Sequence, residues 1–110
     1  MRLDLKAIDL GPIAVCAVND ARLYQTSYVA NGAVALQIAS KTRGLLGSLT
    51  RNILGVSETL AAGEVILDPT SKFFNVAAAT GMLAATGRAI EADGAVLPIW
   101  RLAPALAAAA

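Results

Sequence analysis

Three short runs of the form Ala-x-Gly-x-Val constrain this chain more than anything else in it. They are Ala30-Asn31-Gly32-Ala33-Val34, Ala61-Ala62-Gly63-Glu64-Val65 and Ala92-Asp93-Gly94-Ala95-Val96, and their glycines stand 31 residues apart. Ser40-Lys41 and Ser71-Lys72 keep the same interval. Glycine enters the left-handed region without the clash other residues meet, so it marks a turn, and alternating apolar positions directly after it mark a strand. Each copy therefore reads as a turn that delivers the chain into a strand. Val34, Leu36 and Ile38 are expected to share one face, as are Val65 and Leu67, then Val96 with Pro98.

The turns organise the chain into hairpins. Asn31-Gly32 is a strong hairpin signal, with residues 27–30 entering and 33–39 leaving. Asp68-Pro69-Thr70-Ser71 has Asp and Pro at the first two positions of a type I turn, which predicts a second hairpin between residues 64–67 and 72–77. Residues 82–91, a turn at 92–94 and residues 95–102 make a third. Pro98 lacks a donor, which places the last strand at an edge or beside a bulge. Between the hairpins, Leu46, Leu49, Ile53, Val56 and Leu60 have helical spacing, while Gly44, Gly47 and Gly55 each weaken a helix by about 1 kcal/mol. One short helix near 48–60 is the expectation. The fold class is all-β, a small antiparallel barrel or sandwich built from hairpins. It divides into an extended N-terminal arm over 1–11, a single β-rich domain over 12–102 and an Ala-rich tail over 103–110.

Such a domain has one modest core, and its surface is the harder problem. The 110 residues are 56% hydrophobic and 15% charged, against about 25% charged in ordinary soluble domains. A chain with so few charges covers itself best by assembling. Net charge is +1 with the two signs mixed, which gives no footprint for nucleic acid. One asymmetry stands out: Lys41, Arg43 and Arg51 have no acid among them, and Glu58, Glu64 and Asp68 follow with no base between. Neighbouring copies can use that complementarity, or the residues are simply two solvated faces. Arg2, Asp4 and Lys6 occupy the place of an apolar leader, so no signal peptide is expected, and the uncharged stretch 23–40 is too polar to span a bilayer. Residues 44–60, with Arg43 and Arg51 near an apolar stripe, have the makings of an amphipathic membrane-active segment, the alternative from another class. Cys16 falls in an apolar run and is expected to be a small buried residue.

The chemistry absent from the chain is equally informative. Without histidine there is no Ser-His-Asp or Cys-His site and none of the usual zinc sets. A carboxylate pair from Glu58, Glu64 and Asp68 would need burial to raise one pKa, and turn positions do not suggest it. Glu91-Ala92-Asp93-Gly94 lacks the ligand order of a calcium loop, and Ser40-Lys41-Thr42 lacks the glycine loop of a phosphate-binding lysine. No cofactor, metal or catalytic residue is expected, and the chain reads as a non-enzyme.

The segments 60–69, 72–77, 87–94 and 96–102 run Ala-Ala-Gly, strand, Asp-Pro turn, strand, then Gly-Arg-Ala-Ile-Glu-Ala and a closing strand. In this the C-terminal half resembles the phage capsid cement or decoration proteins. The resemblance implies a β-barrel-like subunit that forms trimers at symmetry axes and binds a major capsid protein on the outside of the shell; the first 50 residues depart from the family's pattern. It implies synthesis in the host cytoplasm and residence on the virion, with another virion part such as a head-fibre base as the alternative. Neither nucleic acid nor membrane is an expected partner. Candidate interface residues are Leu3 and Leu5 of the arm, the cations Arg43 and Arg51, and Trp100 as an aromatic anchor. Most of the five aromatic residues are expected in the core.

Overall fold

The computed structural model describes residues 7–102. Strands β1 (Ile8–Pro12), β2 (Ala21–Ser27), β3 (Val34–Ser40) and β4 (Gly44–Ser48) form an antiparallel sheet in chain order. Strands β5 (Glu64–Ile66), β6 (Leu83–Ala92) and β7 (Ala95–Leu102) form a second antiparallel sheet in the order β5-β7-β6, and one helix, α1 (Phe74–Ala79), lies between β5 and β6 in the chain. A bridge from Thr50 to Leu67 joins the sheets. There the Arg51 N–H donates to the Ile66 carbonyl at 2.9 Å and the Asp68 N–H to the Leu49 carbonyl at 2.8 Å. The β-rich class expected from the sequence is what the chain adopts.

All three repeat glycines have positive φ: 71° at Gly32, 81° at Gly63 and 75° at Gly94. Each is followed within two residues by a strand, β3, β5 or β7. A methyl group at Gly32 or Gly94 would meet nothing within 4 Å, so the backbone conformation and not space demands glycine there. The turns themselves differ. Asp93 (φ 52°) and Gly94 form a two-residue loop between the paired Ala92 and Ala95, the double left-handed geometry of a type I′ turn. The β2–β3 loop is longer than the two residues expected: Tyr28 and Ala33 close it at 2.8 Å around residues 29–32. Asn31 serves there through its side chain, which accepts the Ala33 N–H at 3.1 Å.

The second hairpin does not form. The Asp68 turn is present, with the Ser71 N–H on the Asp68 carbonyl at 3.1 Å, but it delivers the chain into α1. Ser71 Oγ accepts the Phe73 N–H at 3.2 Å at the entrance to that helix. Three consecutive alanines favour helix, and Phe73 and Ala77, four residues apart, are both buried on one side of it. β5 pairs β7 instead. The helix expected near 48–60 shrinks to a single 3-10 turn over Ser57–Thr59, because Leu49 and Thr50 continue the sheet and Gly55 (φ 86°) breaks the spacing. The stretch 44–60 is thus strand, loop and one tight turn, not the continuous amphipathic helix that an interfacial segment requires.

Pro98 lies in the central strand of its sheet and not at an edge, but beside a bulge as expected. Ala85 pairs Trp100 and Ala89 pairs Pro98, so Thr86, Gly87 and Arg88 all face Ile99, and Thr86 Oγ1 takes the Ile99 carbonyl at 2.7 Å. The bulge thus falls where proline leaves the ladder without a donor.

The core draws Leu23, Leu36, Ile38, Leu49, Leu67 and Leu102, all essentially without exposure, into one cluster with Phe73 and Ala77. Fully burying each such leucine stabilises by about 1.5–3 kcal/mol. Val34 packs against this cluster beside Leu36 and Ile38, and Val65 joins Leu67 in it, as the alternation predicts. Ile66, Leu97 and Ile99 are buried outside it, on the other face of β5 and β7. Val96 departs from the expectation by standing 60% exposed, and Cys16 is exposed because the loop after β1 carries it outward. Of the aromatics, Tyr24 and Phe73 are buried; Tyr28, Phe74 and Trp100 are half-buried. Ile8 onward, the last part of the segment read as an arm, is already β1; Leu3, Leu5 and the tail over 103–110 lie outside the described residues.

Candidate interaction surfaces

The first two glycine turns meet at one end of the first sheet, whereas the Asp93-Gly94 turn stands at the opposite end of β7 from Gly63, whose carbonyl accepts the Leu102 N–H at 2.9 Å. Asn31 and Gly32 share a cleft with Glu58, Gly63 and Glu64. Asn31 Nδ2 donates to Asn52 Oδ1 at 2.9 Å and to Glu58, whose other carboxylate oxygen accepts the Gly55 N–H at 2.8 Å. Asp93 reaches the same segment through Arg51, at 3.3 Å. The variable residue of the first and third copies of the repeat, Asn31 and Asp93, therefore clamps the loop from Arg51 to Glu58. No alternation pattern could have revealed this, since the partners lie 27 and 42 residues away in the chain.

Carboxylates stand at both groups of turns. Glu58 is exposed and charged: the Gly55 N–H, then the Asn31 amide, hold its carboxyl below the ordinary glutamate value. Glu91 and Asp93 are exposed at the separate β6–β7 turn. Glu64 is buried and is neutralised by Arg88, whose hydrogen bond, followed by the Ala61 N–H, lowers its pKa. Asp68 is likewise lowered, chiefly by the Thr70 hydroxyl. All three carboxyls of the conceivable acid pair are therefore pushed toward ionisation, the opposite of what a general acid needs at neutral pH.

At the other end of the first sheet, where Ala21 pairs Ser40, the loop after β1 meets α1 and β4 around a cleft of about 450 Å³. Val15, Val18, Leu46, Phe73 and Val76 supply its apolar lining, and Cys16, Arg43 and Lys72 its polar one. Phe73 forms the wall because Gly47 gives its ring room on β4. Lys72 Nζ stands 5.2 Å from the centre of that ring. Asp20, beside the Ser40–Thr42 turn, is already engaged: Ser40 Oγ donates to it at 2.7 Å and lowers its pKa, and Thr42 adds further bonds. Among the described residues neither Arg43 nor Lys72 forms an ion pair.

A third surface is the outer edge of β6. Its ten residues pair β7 on one side and no strand on the other among the described residues. Ala84, Ala85, Gly87, Arg88, Ala89 and Glu91 are exposed along it. Small side chains leave the backbone of an edge strand approachable, and the bulge and two charges moderate it.

The expected interface residues that are described, Arg43, Arg51 and Trp100, are not brought together. Arg43 lines the cleft, Arg51 is at the opposite end in its pair with Asp93, and Trp100 is set in β7 with its ring edge-on to Phe74 at 5.9 Å. Lys72, which lines the cleft beside Arg43, and the exposed Leu54 and Val29 were not singled out by the sequence. Among the described residues no group of three or more His, Cys, Asp or Glu is placed to hold a metal ion, and no helix is long and apolar enough to cross a membrane. Comparison with known protein families, with curated proteins and with solved structures finds no match to this chain.

Proposed function

We propose that this chain is a non-catalytic, self-associating structural subunit, and specifically a virion protein that decorates or cements the outside of a phage-like capsid through contacts with copies of itself and with a major capsid protein. The observation that carries the reading is the long open edge of β6, ten residues among which Ala84, Ala85, Gly87 and Ala89 are small and exposed, in a chain with few charges. Open edges of this length invite partners, and natural proteins keep them where a partner is intended or else cover them. The sequence resemblance to cement proteins adds the capsid, with one departure: the segment 72–77, a strand in that pattern, enters a helix here. Repetition over a symmetric shell turns modest contacts into firm retention.

The test is to pellet particles from cells carrying the intact gene and probe them with antibody to this chain under the electron microscope. A regular array of label on particle heads is expected. Label confined to the soluble fraction, with particles present and bare, overturns the proposal.

A further inference from the structure

The cleft between the loop after β1, α1 and β4 combines apolar walls with charge of a single sign. Val15, Val18, Leu46, Phe73 and Val76 line it, Arg43 and Lys72 stand in the same lining, and no Asp or Glu does. Both cations are carried by segments fixed at the ends of β4. The Arg43 N–H donates to Ser40 Oγ at 3.0 Å, within the turn that Asp20 holds through Ser40 and Thr42. Lys72 follows Ser71, whose Oγ donates to the Ser48 carbonyl at 3.1 Å and accepts the Phe73 N–H at 3.2 Å. Its volume of about 450 Å³ falls within the range of small-molecule sites, about 300–1,000 Å³.

We infer that this cleft binds a single-chain aliphatic carboxylate, a fatty acid, with its hydrocarbon chain against Phe73, Val76 and Leu46 and its carboxylate toward Arg43 and Lys72. The lining selects that chemistry from both sides. Its side chains offer cationic donors and no side-chain oxygen to accept a bond, so a ligand with donors of its own gains nothing from them, whereas a carboxylate, which only accepts, is matched. Apart from Cys16 and the two cations the side chains are apolar, which suits a ligand whose remainder is hydrocarbon. Arg43 and Lys72 have no ion pair among the described residues, so the ligand has no resident acid to displace. None of these residues lies in β6, so the site is separate from the edge on which the proposed function rests.

The experiment titrates decanoate, kept below its micelle-forming concentration, into the full chain by calorimetry. Decyltrimethylammonium, with the same chain and the opposite charge, and acetate, with the charge and no chain, are the comparisons. Cys16 is exposed in the lining, so the rate at which a maleimide labels it reports where the ligand sits. Decanoate is expected to bind saturably, one per chain, and to slow the labelling, while neither comparison does so at matched concentration. Arg43→Gln with Lys72→Gln alters two exposed side chains, and with circular dichroism unchanged it is expected to weaken decanoate about tenfold, as loss of two exposed ion pairs would. Absence of saturable binding at millimolar decanoate overturns the inference, as does equal binding of the two amphiphiles. Binding that leaves Cys16 labelling unchanged, or that the double variant retains in full, places the ligand elsewhere and also overturns it.

Discussion

Gly47 offers the sharpest test of the packing, because its substitution has opposite signs in two accounts. It lies in β4 and, unlike the turn glycines, does not have a positive φ. In an ordinary strand, replacing such a glycine by alanine stabilises by about 0.5–1 kcal/mol, since glycine loses more freedom on folding. Here a methyl group would stand 3.0 Å from Phe73 Cδ2 and nearer still to Cε2. Phe73 is 6% exposed and belongs to the core cluster, so its ring cannot yield without giving up contacts elsewhere. Overpacking of this kind costs about 1–3 kcal/mol, which outweighs the entropic gain. At about 4 °C per kcal/mol for a chain of this size, Gly47→Ala is expected to lower Tm by several degrees. The assay is thermal and urea unfolding at one fixed protein concentration, since association would itself raise stability. Shortening the ring with Phe73→Leu makes room for the methyl group, so the double variant should be more stable than the sum of the singles by about 1 kcal/mol. A Gly47→Ala protein that melts at or above the native temperature, or strict additivity, would refute the close approach of ring and strand.

Other predictions follow from the turns, the carboxyls and the cleft. Gly94→Ala, at φ 75°, should destabilise by about 1–2 kcal/mol in urea unfolding, whereas Asp93→Asn, which keeps a residue tolerant of that region, should cost much less. Asp20, Glu58, Glu64 and Asp68 all have folded pKa values below their ordinary ones, so each contributes stability that is present at neutral pH and lost as pH falls through the folded value. Tm should accordingly hold from pH 7 to about 5 and fall below it, and a flat profile down to pH 3 would contradict the hydrogen bonds that cause the shifts. Cys16 should react with a maleimide in the folded protein.

The sequence pattern foretold some of this closely. A-x-G-x-V marks three positive-φ glycines and three strand starts because both demands are local: a turn conformation that glycine alone adopts cheaply, then alternation on a pleated strand. The last hairpin and the bulge beside Pro98 were legible for the same reason, since proline's missing donor is a property of the residue itself. The Asp68-Pro69 turn was legible as a turn but not in its outcome. The same four residues can return a strand on itself or launch a helix, and the burial of Phe73 and Ala77 against Leu49 and Leu67 in one cluster goes with the helix.

The interaction surfaces were the least legible. Arg43 and Arg51 look alike in the sequence, yet one is left beside an apolar cleft and the other is paired with a carboxylate 42 residues away. Cys16, in a run that reads as core, is carried outward by a loop. By itself, then, the chain determined its turns, most of its strands, its alternating core positions and its want of histidine chemistry, because each depends on a residue and its near neighbours. Which strands pair, which charges are neutralised and which apolar side chains stay exposed were decided only in the tertiary structure. Those depend on what long-range contact brings within a few ångströms, and short-range spacing does not encode it.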